Sequence, residues 1–224
     1  MSTQQIEKAS EAVRRRPEYR GALALHCMGV LRGLDWPDEK ASGGPCTLGI
    51  TSSCPGEGVS TLVAHLAATA AVCGAGPVLA VDCNLARPSL HRLFGVPRDP
   101  GLAEGLRQDM PEGEVIRQSA LANLFVVGAG EPHGSPARAY QSLALPQLVK
   151  TMASRFALTV FDMPPVGQQS CVRRLAGLLD GVLLVVEAER IGWKAARRAT
   201  ELLAGADARL LGVLLNKRRR RLSE

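Results

Sequence analysis

The segment Ile50-Thr51-Ser52-Ser53-Cys54-Pro55-Gly56-Glu57-Gly58-Val59-Ser60-Thr61 lies between an apolar run and an alanine-rich helical pattern. This order predicts a strand, a glycine-containing loop and a helix. Such a turn directs successive backbone N–H groups and a helix N-terminus at one point, which suits the oxygens of a phosphate group. Against the phosphate-loop pattern G-x-x-x-x-G-K-[ST], the segment fits in register except at two positions. Ser53 replaces the first glycine, and Val59 replaces the lysine.

The valine at position 59 removes the main cation of such a loop. In a complete phosphate loop the lysine reaches the β- and γ-phosphates. A unit charge at about 4 Å is worth on the order of 4 kcal/mol at an effective dielectric constant near 20. Since each ~1.4 kcal/mol is a factor of ten, we expect nucleotide affinity or turnover to be reduced by orders of magnitude.

Length and composition predict one α/β domain in the cytoplasm. The chain has 224 residues, of which 46% are hydrophobic, and this is enough for one substantial core. Its best apolar stretch, residues 62–72, is interrupted by His65 and is shorter than the roughly 20 residues that span a bilayer. The first residues contain no signal-peptide core. Six scattered cysteines without a C-x-x-C pair are typical of reduced thiols, and no cysteine or histidine pattern indicates a metal site.

The formal net charge of +6 comes largely from two arginine-rich clusters, one at residues 14–20 and one at residues 217–221. Three interpretations are open: solvated ends of the chain, contact with an anionic membrane surface or acidic partner, and contact with nucleic acid. Aromatic residues make up only 4% of the chain, which argues against a surface that stacks nucleic-acid bases.

The order of apolar runs and helical patterns predicts a doubly wound, mostly parallel sheet with helices on both faces. Residues 1–45 are assigned to an N-terminal helical arm and linker, residues 46–217 to the compact domain and residues 218–224 to a basic tail. The predicted strands are 47–52, 78–82, 124–127, 158–162, 182–186 and 210–215. The predicted helices are 59–72, 136–143, 146–155, 170–178 and 193–203. Strands that are apolar throughout are buried on both faces, and ligands then bind at their C-terminal ends.

Two acidic residues follow predicted strands of this sheet. Asp82 ends the second strand and Asp162 ends the fourth. Taken singly, an acid at a strand end more often caps the following turn than binds a ligand. With a phosphate loop beside them, Asp82, Asp162 and the Ser60 hydroxyl form a set of oxygen ligands that suits Mg²⁺.

Several motifs together resemble the cytoplasmic kinase module of the bacterial tyrosine kinases (BY-kinases) of capsule and exopolysaccharide synthesis, relatives of the deviant Walker A ATPases. Residues 53–61 resemble the family loop S-x-P-G-E-G-K-S-T, residues 82–91 resemble D-x-D-L-R-R-P-S-L-H, and residues 161–166 resemble I-D-T-P-P-V. The resemblance runs from about Tyr19 to Lys217. It implies the P-loop nucleotide-binding fold.

The resemblance also implies a site for ATP or ADP with Mg²⁺. Asp82 and Asp162 would be the catalytic acids, and they would hold the metal together with Ser60. Asn216 would lie near the adenine. The full set implied for nucleotide binding is Pro55, Gly56, Glu57, Gly58, Val59, Ser60, Thr61, Arg87 and Asn216.

The departures from the family pattern lie where catalysis would occur. Besides Val59, Asn84 replaces the second acid of the D-x-D pair, which in the family assists proton removal from the attacking tyrosine. An amide cannot act as a carboxylate base. The sequence after Asn216 also lacks the tyrosine cluster in which family members end. None of the five lysines belongs to the loop, so a substitute cation would be an arginine such as Arg87 or one from a neighbouring subunit.

Three functions therefore remain as hypotheses. The first is a catalytically impaired BY-kinase relative, a pseudokinase, that acts as a regulatory or scaffolding subunit in exopolysaccharide polymerisation and export. It would lie at the inner face of the membrane with a membrane chain-length (co-polymerase) protein as partner, and could form homo-oligomers. The second is an active ATP-dependent tyrosine kinase or ATPase with a substitute cation. The third and least favoured is a DNA-binding positioning ATPase, which is suggested by kinship with partition proteins and by the two arginine-rich clusters.

Overall fold

The computed structural model describes most of the chain, namely residues 22–34, 46–72, 76–108, 110–168 and 170–217. The first part of the predicted N-terminal arm, the linker at 35–45 and the basic tail at 218–224 lie outside the described residues. The proposed domain boundaries therefore stay predictions.

Seven strands form one sheet at the centre of the described chain. In chain order they are β1 (Cys46–Ser52), β2 (Val78–Asp82), β3 (Ile116–Gln118), β4 (Leu124–Val127), β5 (Leu158–Asp162), β6 (Gly181–Glu187) and β7 (Leu210–Asn216). Their order across the sheet is β3-β4-β2-β5-β1-β6-β7. All neighbours are parallel except β3, which pairs antiparallel with β4. The predicted fold class is confirmed.

The helices of the described chain are mostly short. They are α1 (Ala22–Gly33), α2 (Val59–Val72), α3 (Leu90–Phe94), α4 (Leu102–Arg107), α5 (Glu112–Val115), α6 (Pro136–Ala139), α7 (Leu145–Arg155), α8 (Ser170–Ala176) and α9 (Trp193–Ala204). None of the helices that the structure describes is long and apolar enough to cross a membrane.

Two hydrophobic clusters cover the two faces of the sheet. Successive side chains of a strand point to opposite faces, and in β6 Val182 and Leu184 belong to one cluster while Leu183 and Val185 belong to the other. Helices α1 and α2 pack on the second face, and α4, α7, α8 and α9 pack on the first. Burial on both faces explains why the sequences of β2, β5 and β6 are largely apolar rather than alternating, whereas the edge strand β7 is partly exposed.

The predicted elements agree with the structure except at short or interrupted segments. The six predicted strands are correct to within one residue at each end. The sequence analysis missed β3, α3, α4 and α5, which span only three to six residues each. Helix α6 ends at Ala139, before the predicted end at Leu143. There, Ser142 donates its hydroxyl to the Leu106 carbonyl and accepts the Ala144 N–H, so a serine side chain holds the backbone in a turn.

Tyr140 follows α6 and is fully buried. Its hydroxyl donates a hydrogen bond to the backbone carbonyl of Cys83, just after β2. Its own carbonyl accepts a hydrogen bond from Arg174 at 3.2 Å. Tyr140 therefore joins α6, α8 and the end of β2, and the folded protein does not expose it as a phosphate acceptor.

We expect Tyr140→Phe to lower the free energy of unfolding by about 1–2 kcal/mol, because the buried Cys83 carbonyl loses its donor. Urea denaturation measures the change. Ser154→Ala removes an exposed hydroxyl, which bonds to the Thr151 carbonyl, and serves as the control with an expected change below about 0.5 kcal/mol. An unchanged denaturation midpoint for Tyr140→Phe would contradict the prediction.

Candidate nucleotide-binding site

A cavity of about 540 Å³ opens at the C-terminal ends of β1 and β5. Its lining contains Pro55, Gly56, Glu57, Gly58, Val59, Ser60, Thr61, Arg87 and Asp162, all of them predicted from the sequence. The remaining lining residues are Ser52, Asn84, Ala86, Met163, Pro164, Pro165 and Gln168. Asp82 and Asn216, both of which the structure describes, lie outside the lining. The sequence thus predicted the loop side of the cavity and missed most of the opposite wall, which follows β5.

The loop between β1 and α2 depends on two glycines with left-handed backbone angles. Gly56 has φ = 84° and Gly58 has φ = 91°, a region that other residues rarely occupy. A side-chain carbon added to Gly58 would lie 2.5 Å from the amide nitrogen of Asn216. The loop ends at Val59, the first residue of the 14-residue helix α2. The N-terminus of this helix therefore borders the cavity, as the phosphate-loop pattern predicts.

The Glu57 carboxylate holds this loop from within. The side chain is fully buried. One oxygen accepts the backbone N–H of Cys54 at 2.8 Å and the other accepts the N–H of Glu187, at the end of β6, also at 2.8 Å. The Glu57 carbonyl accepts the Asn216 amide at 2.8 Å. Glu57 thus fastens the loop to the ends of β6 and β7, and its contact with nucleotide stays a prediction.

Val59 occupies the lysine position without reaching into the cavity as a cation would. Its side chain is 7% exposed and belongs to the hydrophobic cluster that contains Val63 and Leu66 of the same helix. Of the described residues that line the cavity, Arg87 is the only one with a positive charge. The backbone N–H of Arg87 bonds to the Asn84 side-chain oxygen at 3.2 Å, and Arg87 is exposed.

Asp162 is the buried acid at the cavity wall. It ends β5, is fully buried, and has no hydrogen-bond partner for either carboxylate oxygen among the described residues. Burial and, next, the charge of Asp82 raise the pKa of Asp162 well above its ordinary value. The nearby Ser60 hydroxyl opposes this rise, although its geometry is poorer than that of a proper hydrogen bond. An unpartnered buried carboxylate is costly and calls for a cation or a proton.

The carboxylate of Asp82, unlike that of Asp162, has hydrogen-bond partners. Asp82 lies beside Asp162 on the neighbouring strand. Its carboxylate accepts three backbone N–H groups, from Asn84 at 3.1 Å, Ser89 at 2.8 Å and Leu90 at 2.9 Å. Burial raises the pKa of Asp82, and these three hydrogen bonds oppose the rise. The geometry is that of a cap for α3, so the catalytic and metal-binding roles of Asp82 stay predictions.

The oxygen groups at the cavity fit a magnesium ion. Mg²⁺ keeps several waters and commonly binds proteins through one or two carboxylates plus substrate phosphates. The orphaned oxygens of Asp162 and the adjacent Ser60 hydroxyl provide such a partial set. The described residues contain no group of three or more histidine, cysteine, aspartate or glutamate side chains that could hold a metal alone. Waters and the oxygens of a bound phosphate would supply the other ligands of a magnesium ion here.

A second group of charges contacts the loop from outside the cavity lining. The Lys217 ammonium lies 2.6 Å from the Gly56 carbonyl and 3.1 Å from the Glu187 carboxylate. The sequence analysis found no lysine within the loop and did not foresee this one, which lies 161 residues away from Gly56 along the chain. Only the pairing of β1, β6 and β7 brings the two together.

The sheet order and the glycine loop before α2 are those of the P-loop NTPase fold. The MinD cell-division ATPase of Pyrococcus furiosus is 24% identical with a TM-score of 0.67, over 79% of this chain and 75% of that one. A Pyrococcus horikoshii MinD complexed with Mg-ADP is 22% identical, also with a TM-score of 0.67, over 79% and 72%. Both show the likeness of the fold.

The particular family follows from closer relatives. This chain is 30% identical to the tyrosine-protein kinase YwqD of Bacillus subtilis (strain 168) over 167 residues, 75% of this chain and 70% of the relative. The kinase domain of the Escherichia coli tyrosine kinase ETK is 25% identical with a TM-score of 0.76, over 80% and 70%. The chimerical protein CapA2B2 is 28% identical with a TM-score of 0.74, over 79% and 78%. No protein-family model matches the sequence. The chain belongs to the bacterial tyrosine-protein kinase family.

The raised pKa of Asp162 predicts a pH-dependent effect of Asp162→Asn on stability without nucleotide. At pH 4 the acid is protonated in the folded state and about half protonated in the unfolded state, and well below pH 4 it is protonated in both, so the variant should differ little from the wild type. As pH rises towards the raised folded-state pKa, only the unfolded state readily loses its proton, which destabilises the wild type. At pH 8 we expect the variant to be more stable by about 1–4 kcal/mol.

Thermal and urea unfolding at pH 4, 6 and 8 measure this difference. Glu114→Gln removes an exposed carboxylate and is the control, with little change expected at any of these pH values. If Asp162→Asn is less stable than the wild type at pH 8, the Asp162 carboxylate has a favourable partner in the folded protein and the assignment is wrong.

Proposed function

We propose that this protein is a catalytically impaired bacterial tyrosine kinase relative, a pseudokinase. It binds Mg-nucleotide weakly and acts as a regulatory or scaffolding subunit of exopolysaccharide polymerisation and export. The observation that carries the proposal is the position of Val59. Its side chain packs into the hydrophobic core at the place where the family's lysine would contact the terminal phosphates.

The preserved frame of the site supports retained nucleotide binding. The two left-handed glycines, the buried Glu57 carboxylate and the N-terminus of α2 keep the loop in the form that suits phosphate. The 540 Å³ cavity is within the range of small-ligand pockets. A protein that served only as a structural scaffold would not need an unpartnered Asp162 at the cavity wall, because such a group lowers stability.

The residues around the cavity also suggest which step fails. Ser60 and Asp162 would hold Mg²⁺, which when bound would neutralise phosphate charge. Arg87, which is exposed, would supply the remaining positive charge. Because Asn84 has no carboxylate, it cannot take the proton of an attacking hydroxyl. The site is therefore better suited to holding a nucleotide than to transferring its phosphoryl group.

The same family membership supports the choice of partner. We infer a cytoplasmic position at the inner face of the membrane, where the chain would bind a membrane chain-length (co-polymerase) protein. Regulation would then consist of a nucleotide-dependent change in that contact. Homo-oligomers are compatible with this role.

An active ATP-dependent tyrosine kinase or ATPase is the second candidate. It is favoured by the joint presence of Asp162 and Arg87 in the cavity lining, since these supply a metal-binding acid and a cation. In this case the arginine would replace the missing lysine.

ATP turnover and nucleotide affinity distinguish the two candidates. With purified wild type, Asp162→Ala and Val59→Lys, we expect phosphate release and phosphotyrosine from the wild type to be no higher than from Asp162→Ala. Val59→Lys should raise the affinity for Mg-ATP in calorimetry at least about tenfold, because it restores a charge near the phosphates. Leu143→Lys, which adds the same charge at an exposed position, is the control. Wild-type turnover at an ordinary kinase rate, about 1–100 s⁻¹, would favour the active enzyme instead.

The regulatory role predicts a physical complex in the native cell. Affinity purification of the tagged chain from solubilised membranes should recover a chain-length protein, and Mg-ADP should change the recovered amount. Mg-ADP should change the amount of recovered chain-length protein more for the Val59→Lys variant than for the wild type. Recovery of no such membrane protein in repeated experiments would count against the scaffolding role while leaving nucleotide binding to calorimetry.

A further inference from the structure

Three charged residues form a closed network on the phosphate loop, and we call Glu187, Arg190 and Lys217 the outer clamp. One oxygen of the Glu187 carboxylate accepts both cations, Arg190 at 2.6 Å and Lys217 at 3.1 Å. Each cation also donates to a loop carbonyl, Arg190 to Pro55 at 3.1 Å and Lys217 to Gly56 at 2.6 Å. The clamp thus joins two successive peptide groups of the loop to the ends of β6 and β7.

The backbone at Lys217 directs its side chain to the loop. Lys217 has φ = 56°, in the left-handed region that a lysine seldom adopts. This conformation is held by the Lys217 N–H, which bonds to the Asn216 side-chain oxygen at 2.9 Å. The nitrogen of the same amide donates to the Glu57 carbonyl. Asn216 therefore fixes both the loop and the residue that places the ammonium on it.

The charges of the clamp support each other. Desolvation acts to raise the pKa of Glu187, but the hydrogen bond from Lys217 and the charges of Arg190 and Lys217 outweigh it and lower that pKa. The Glu187 carboxylate consequently stays ionised at a lower pH than an ordinary glutamate does. Arg190 and Lys217 are each 46% exposed, so solvent screens them in part and an isolated pair of this kind would contribute little. Arg190 and Lys217 differ from an isolated surface pair because each also donates a hydrogen bond to a carbonyl of the loop.

A cation on a peptide carbonyl acts on the N–H of the same peptide group. The Pro55 carbonyl shares its peptide group with the Gly56 N–H, and the Gly56 carbonyl shares its group with the Glu57 N–H. Gly56 and Glu57 line the cavity. Hydrogen bonding at the oxygen fixes the orientation of the peptide group and polarises it, so that its N–H becomes a stronger donor. Anions are bound by such ordered N–H groups.

We propose that the outer clamp is a positioning device that strengthens the binding of a nucleoside di- or triphosphate and offsets part of the loss of the loop lysine. The cations act through the backbone of the loop, since neither lies in the cavity lining that the structure describes. This inference rests on the proposed nucleotide binding and names the residues that sustain it. Lys217 and Arg190 are accordingly positioning residues.

The test uses the full chain with Lys217→Met, Lys217→Arg and Arg190→Met. We expect Lys217→Met and Arg190→Met each to weaken Mg-ADP binding in calorimetry by about three- to tenfold, because half-exposed charged contacts are only partly screened. Amide hydrogen exchange in residues 53–58 of the nucleotide-free protein should become faster, while the thermal midpoint of the whole domain stays unchanged. Lys217→Arg should restore both properties.

Lys150→Met removes an exposed lysine from α7 and controls for the change in net charge. Clamp variants that behave like this control in both measurements would overturn the proposal. Weaker binding with unchanged loop exchange would mean direct charge attraction and would overturn the positioning role. If the wild type binds no Mg-ADP, the proposed nucleotide binding fails and the clamp's role in it fails too, whereas a wild type that binds Mg-ADP as tightly as the clamp variants do refutes the clamp alone.

Discussion

The buried carboxylate of Glu57 is the interaction on which the rest of the site depends. Both of its oxygens accept backbone N–H groups, one from the loop itself and one from the end of β6. Removing such a group would leave two buried donors unsatisfied, which costs more than the hydrogen bonds themselves contribute. The carboxylate therefore forces the loop to curl back on the sheet edge. The cavity, the N-terminus of α2 and the contacts from β7 all follow from that curl.

The distribution of charge around this loop differs from that of a complete phosphate loop. A lysine at position 59 would place its charge inside the cavity, whereas here a valine joins the core. Positive charge is instead present in the cavity lining at Arg87, and Arg190 and Lys217 contact the loop from outside the lining. Meanwhile Asp162 is left buried without a partner in the described chain. The proposal of retained nucleotide binding with impaired phosphoryl transfer rests on this distribution of charge.

The elements that could be predicted from the sequence are those set by patterns among neighbouring residues. The largely apolar runs identified six of the strands. Strands β1, β2, β5 and β6 are buried almost throughout, which favours such runs. Strand β3 was not predicted because its three residues, with Arg117 in the middle, show no recognisable hydrophobic period. The turn after α6 was not predicted because a serine hydroxyl, rather than a proline or glycine, ends the helix. These contacts depend on Leu106, which is distant in the chain.

For the site, the sequence by itself determined the loop, its glycines, the missing lysine and the acid at the end of β5, since each belongs to a local motif of a strand and the turn after it. The tertiary structure alone decided the separate roles of the two acids, Asp82 as a cap and Asp162 as an unpartnered group. It alone also brought Lys217 to Gly56 across 161 residues. The physical reason is that the spacing of residues in a motif reflects the backbone conformation of a single turn. Burial and charge pairing depend instead on which strands lie side by side.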